Sequence, residues 1–156
     1  MRTLILGLGN DLLGDDGIGL VAAEKLEGLI GHRADVVTSS LHGLALLDLF
    51  IGYDKAVIID AVQKGGPPGG IYELRPDDLR STPGPSPHFT GLPEMILIAG
   101  ELQLPFPDEI KILAIEVAET FIVSEKLTPA VAAAVDRVGE YICGYLDDWE
   151  SCSVVG

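Results

Sequence analysis

The stretch Leu4-Ile5-Leu6-Gly7-Leu8-Gly9-Asn10-Asp11-Leu12-Leu13-Gly14-Asp15-Asp16-Gly17-Ile18-Gly19 frames the reading of the whole chain. Its apolar run shows almost no polar alternation, as in a strand buried on both faces. A helical pattern starts after Gly17. Strand, glycine-rich turn and helix open a doubly wound α/β unit, whose turn usually receives a pyrophosphate. Here Asp15 and Asp16 occupy that place. Carboxylates repel phosphate and suit a metal ion. The dinucleotide fingerprint is also incomplete, because Leu12 stands where a third glycine belongs. Gly7 and Gly9 are therefore read as serving a tight passage from strand to helix.

Outward from this unit, strands and helices alternate. Strands are expected at 3–8, 35–39, 55–60, 71–75 (an edge) and 110–116. Helices are expected at 17–30, 43–51, 90–103 and 128–149. The first carries Ile18, Ala22, Leu26 and Leu29 on one face, and the second Leu44, Leu47 and Phe50. The last carries Val131, Val135, Val138, Ile142 and Tyr145. Thr128-Pro129 supplies a capping hydroxyl and a first-turn proline. Gly65-Gly66-Pro67-Pro68-Gly69-Gly70 reads as a loop, and the proline-rich 81–88 as an extended, stiffened one. The pattern predicts an α/β fold: a single-domain three-layer sandwich. Its mostly parallel twisted sheet has about five strands, with helices on both faces. Residues 1–150 form the domain and 151–156 a C-terminal tail.

The 156 residues suit one domain with a real core, at 47% hydrophobic and 22% charged. A formal charge of -14 disfavours nucleic acid, whose binding rests on neutralising phosphates. No apolar run is long enough to span a bilayer. Met1-Arg2-Thr3 does not open a signal peptide, so a cytoplasmic location is expected. Cys143 and Cys152 are then expected to be reduced thiols, and their spacing suggests no zinc site.

In parallel sheets ligands bind at the carboxyl ends of the strands, near the reversal of strand order. Asp15 and Asp16 follow the first strand, Asp60 closes the third, and His88 precedes the third helix. All should face one edge. Two carboxylates and an imidazole make an open site for a divalent transition ion. Each residue also has an ordinary reading. Asp15 and Asp16 suit a helix N-terminus, Asp60 a turn, and His88 an unremarkable surface position. The conjunction carries the site, because independent positions converge. Ser39, Ser40 and His42 are close in sequence, but no nucleophile elbow accompanies them. His32 is expected to face solvent.

At these residues the chain resembles the hydrogenase maturation endopeptidases, which trim the C-terminal extension of nickel-iron hydrogenase large-subunit precursors. Gly7-x-Gly9-Asn10 with Asp15-Asp16-Gly17-x-Gly19 resembles the family signature. Val57-Ile58-Ile59-Asp60-Ala61 resembles its second acidic segment, and Ser86-Pro87-His88 before Gly91-Leu92 its histidine loop. Leu127-Thr128-Pro129 before the last helix also fits. The resemblance implies that Asp16, Asp60 and His88 coordinate metal, with Asp15 a common acid beside them. The ion it implies is nickel, supplied by the loaded precursor, which would be the partner. The stretch Thr38-Ser39-Ser40-Leu41-His42-Gly43 departs from the family's glycine-rich turn and keeps only Gly43. That turn is associated with substrate recognition, so the cognate hydrogenase is left open.

No cysteine or activated serine is placed for covalent catalysis. An aspartyl-type endopeptidase is expected, in which metal assists attack by water and Asp16 or Asp60 accepts a proton. Two alternatives compete. A magnesium-dependent phosphohydrolase is weakened by His88 and by the lack of a basic phosphate clamp. A non-enzymatic nickel-sensing maturation module would bind the precursor without cutting it.

Overall fold

Strand β1, Thr3–Leu8, is buried at every residue, as its unbroken apolar run requires. In this computed structural model, which describes residues 1–9, 18–41, 43–62, 65–79, 92–117 and 129–155, it lies inside a five-stranded sheet. Helix α1 (Ile18–Ile30) leads to β2 (Asp35–Ser39). A 3-10 turn at Gly43–Leu46 and the one-turn α2 (Leu47–Phe50) precede β3 (Lys55–Val62). Then come β4 (Ile71–Leu74), α3 (Leu92–Glu101), β5 (Glu109–Glu116) and α4 (Pro129–Val155). The strand order is β2-β1-β3-β5-β4. Every pairing is parallel except that of β4, which runs antiparallel along one edge of the sheet.

Two apolar layers cover the sheet, as α/β architecture demands. On one face Ile5, Val57, Ile59, Leu113 and Ile115 pack with Leu26 of α1 and Val131, Val135, Val138 and Ile142 of α4. On the other, Leu4, Leu6, Leu8, Ile58 and Ile112 pack with Leu46, Phe50, and Leu92 and Met95 of α3. The expected three-layer α/β sandwich is the fold observed.

The differences from the sequence reading have local causes. Leu29 is 74% exposed rather than in the core. The buried stripe of α1 runs through Ala22, Leu26 and Ile30 at steps of four, which leaves Leu29 on the flank. Leu44 is exposed and Leu46 buried, because 43–46 winds as a 3-10 turn, whose shorter period rotates the face. Strand β3 does not stop at Asp60. Ala61 and Val62 continue it, paired with Ile115 and Glu116. Helix α4 runs on to Val155, through residues read as a tail. Its Pro129 holds the first helical position, while Thr128 lies outside the described residues. So do the proline-rich 81–88 and His42. His32 is exposed, as expected.

Glycines at 7 and 19 let α1 lie on the sheet. A Cβ on Gly19 would fall 2.2 Å from the Leu8 carbonyl oxygen and 2.5 Å from that of Ile59. One on Gly7 would fall 2.2 Å from the Gly19 oxygen. These neighbours are backbone and cannot swing aside. The expected role in strand-to-helix passage is thus, at Gly7, a role in helix-on-strand contact.

Tyrosines stitch the sheet's periphery. Tyr53 donates to Asp35 of β2 at 2.8 Å, Tyr72 of β4 to Glu116 of β5 at 3.1 Å, and Tyr145 of α4 to Glu73 of β4. Burial first, then the carboxylate that each phenol faces, raises all three pKa values above their ordinary 10.

Two outcomes follow from this packing. Gly19→Ala should destabilise the protein by about 1–3 kcal/mol in urea titration, the usual cost of forcing atoms into a filled space. Wild-type stability at that site would refute the contact. Because folded tyrosines keep protons that unfolded ones lose, stability should be complete below about pH 10 and fall as pH rises above it. Tyr145→Phe should make that alkaline decline shallower. An unchanged slope would show that Tyr145 does not titrate with folding.

Candidate active site

Asp60 is the member of the expected metal-binding set that lies within the described residues; Asp15, Asp16 and His88 lie outside them. The β-branched run before it, Val57-Ile58-Ile59, makes a central strand and carries Asp60 to the carboxyl end of the sheet. Strand alternation puts Asp60 on the face of Ile58 and Val62, the layer covered by α3. The carboxylate is fully buried, and its Oδ1 accepts the Ala61 amide at 2.8 Å. Burying a charged carboxylate costs several kcal/mol unless charge and hydrogen bonds compensate.

The surroundings are those of a ligand site. Beside Asp60, β1 separates β2 from β3, so chain connections diverge there, the usual switch point. Gly19 packs its backbone on Leu8 and on Ile59, the residue before Asp60. The described start of α1 therefore abuts this end of β3. Leu92, the first residue of α3, is buried in the layer that Asp60 faces. Among the described residues no three His, Cys, Asp or Glu side chains form a metal-holding group.

Sequence reading missed Glu116. Among the described residues the buried polar or charged side chains are Thr3, Asp60 and Glu116. Glu116 closes β5 as an acid after an apolar run, the same signal that drew attention to Asp60. Its Oε1 accepts the Gly66 amide at 2.6 Å and the Tyr72 hydroxyl at 3.1 Å.

Other candidates are occupied otherwise. The Ser39 hydroxyl accepts the Leu41 amide at 3.0 Å, a local turn bond. Cys143 is a free thiol on α4. Two open clefts lie elsewhere. One of about 340 Å³ is lined by Arg75, Asp77, Lys111 and neighbours at the amino end of β5. One of about 470 Å³ is lined by Glu73, Arg137, Tyr141, Tyr145 and neighbours along α4. No described helix is long and apolar enough to cross a membrane.

Comparison with known proteins gives one consistent result. Residues 22–145 match the family model for hydrogenase maturation protease, HycI. The hydrogenase 2 maturation protease of Escherichia coli (strain K12) is 30% identical over 151 residues, covering 94% of this chain and 91% of that protein. The hydrogenase expression/formation protein HupD of Rhodobacter capsulatus is 30% identical over 140 residues, 86% of this chain and 66% of that protein. This chain thus spans about two thirds of that relative's length. The solved hydrogenase maturating endopeptidase HybD from E. coli superposes with a TM-score of 0.80 at 28% identity, covering 95% of this chain and 93% of that one. HybD from Thermococcus kodakarensis superposes at 0.72 with 29% identity, covering 94% and 99%. With the sheet, the switch-point aspartate and a family match over most of its length, the chain belongs to the hydrogenase maturation proteases and is a peptidase.

Proposed function

We propose that this peptidase removes the C-terminal extension of a nickel-iron hydrogenase large-subunit precursor after nickel insertion, in the cytoplasm. The observation that carries this reading is Asp60, a fully buried carboxylate at the switch point of a maturation-protease fold. Asp16 and His88 join it as ligands in the proposal. Asp16 precedes the start of α1, which packs beside β3, and His88 precedes Leu92 in the layer that Asp60 faces. Two carboxylate oxygens and one imidazole nitrogen suit a borderline divalent ion, and nickel arrives as part of the substrate. When bound, the ion polarises the scissile carbonyl or acidifies its water. Within this chain, Asp16, Asp60 and His88 orient the loaded precursor. Asp16 or Asp60 accepts the proton of the attacking water, the aspartyl-type role. The dry surroundings of Asp60 strengthen each of these electrostatic contacts.

The test is incubation with a nickel-loaded precursor, read by mass. Asp60→Asn and His88→Ala should each slow processing on the order of 10²-fold or more, the usual loss when a preorganised charge or donor is removed. Asp60→Asn keeps the side chain's shape, and His88 falls in a proline-rich stretch of sequence that reads as a loop, so both should melt close to wild type. Wild-type cleavage by both variants would sink the metal-site assignment. Normal precursor binding without cleavage would place the ion in catalysis rather than docking. The purified chain should bind nickel weakly, because three ligands leave the shell open. Stoichiometric zinc surviving chelator dialysis would point instead to an ordinary metalloprotease.

A further inference from the structure

Glu116 sits on the same face of the sheet as Asp60, on the adjacent strand. The register pairs Asp60 with Ala114 and Val62 with Glu116. Alternation along β5 sets Glu116 with Ile110, Ile112 and Ala114, in the layer that also holds Ile58 and Val62. Glu116 thus stands one pleat beyond Asp60 and one strand over, roughly 8 Å away between Cα atoms by ideal strand spacing. It is 1% exposed.

This one residue holds the loop that follows β3 by both main chain and side chain. Its amide donates to the Gly70 oxygen at 2.8 Å, and its own carbonyl accepts the Gly69 amide at 2.8 Å. Its Oε1 accepts the Gly66 amide at 2.6 Å and the Tyr72 hydroxyl at 3.1 Å. Two of its glycines lie against neighbouring atoms. A Cβ on Gly66 would lie 2.4 Å from the Tyr72 hydroxyl and 3.1 Å from Glu116 Oε1. One on Gly69 would lie 2.6 Å from the Ala130 oxygen, and Arg137 of α4 holds the Gly69 carbonyl at 2.5 Å. Val117 donates to the Val62 oxygen at 3.0 Å, which pins the end of β3 itself.

The Asp60 carboxylate is tied to the main chain of the same strand end. Its Oδ1 is bonded to the next amide, that of Ala61, so turning the peptide plane after Asp60 turns the carboxylate. We propose that Glu116 is a positioning residue for this peptidase: it anchors loop 65–70 and the end of β3, and so aims Asp60 at the reacting centre. The inference rests on the proposed role of Asp60 in precursor cleavage. A misplacement near 1 Å at a reacting group costs on the order of 10²-fold in rate. Anchorage through a buried acceptor is therefore worth far more to turnover than to the stability of a surface loop.

The Gly66 and Tyr72 bonds both end on Oε1, so charge and reach can be varied separately at that oxygen. Glu116→Gln keeps the Oε1 acceptor and removes the charge. Glu116→Asp keeps the charge but withdraws the acceptor by one methylene. In the full chain, amide exchange at Gly66 should quicken in Glu116→Asp and stay near wild type in Glu116→Gln, a readout that needs no substrate. With nickel-loaded precursor, Glu116→Asp should lose kcat on the order of 10- to 100-fold, with KM within about threefold. Glu116→Gln should restore turnover. Wild-type kcat in Glu116→Asp, despite quickened Gly66 exchange, would overturn the proposal. So would an equal loss in Glu116→Gln with Gly66 still protected. A kcat loss matching the unfolded fraction at the assay temperature would reduce Glu116 to a structural role and refute the inference. If Glu116→Asp does not fold, Tyr72→Phe removes the bond from Tyr72 to Glu116 and should lower kcat a few-fold, and unchanged kcat there would also refute it. Failure of the wild-type chain to cut the precursor would overturn the parent reading and the catalytic part of this one with it, whatever the exchange at Gly66.

Discussion

The approach of α1 to the sheet is the constraint on which the rest depends. Gly7 and Gly19 have no Cβ, so helix backbone rests directly on the carbonyls of Leu8 and Ile59. Any side chain at either place would lift the start of the helix from the strands. That contact sets how closely the described start of α1 approaches the end of β3. A glycine pattern that in another α/β protein would admit a phosphate here seats a helix.

Buried charge is the second organising feature. Among the described residues, Asp60 and Glu116 are the buried carboxylates, and both lie at the carboxyl edge on the side covered by α3. Elsewhere the described acids of this strongly negative chain are largely at the surface. Arg33 bonds Asp147 and Glu150, and Lys55 bonds Asp108, with at least one partner well exposed in each pair. Such pairs contribute little stability. Keeping two carboxylates out of water is costly by comparison, and the edge where they sit is the one where α/β folds place their ligands.

Two open clefts lie away from Asp60, at the amino end of β5 and along α4. Burial, charge and position in the topology lead instead to a strand end. This suits an enzyme whose substrate is a protein rather than a small molecule sunk in a cavity.

The sequence alone determined the strand–helix alternation, the mostly parallel sheet and the edge on which Asp60 lies. Those depend on local periodicity and on a general rule of chain topology. It also carried the family, through motifs spread in order along the chain. It misjudged Leu29, Leu44 and the end of β3, because the drift of a helical face, the tighter winding of a 3-10 turn and the reach of a neighbouring strand are not local signals. Glu116 was passed over for the same reason. An acid at a strand end looks ordinary until strand register sets it one pleat beyond Asp60 on the same face, and until the loop at 65–70 folds back onto it. Only tertiary structure decides that, since it brings together residues fifty positions apart through hydrogen bonds that no sequence spacing records.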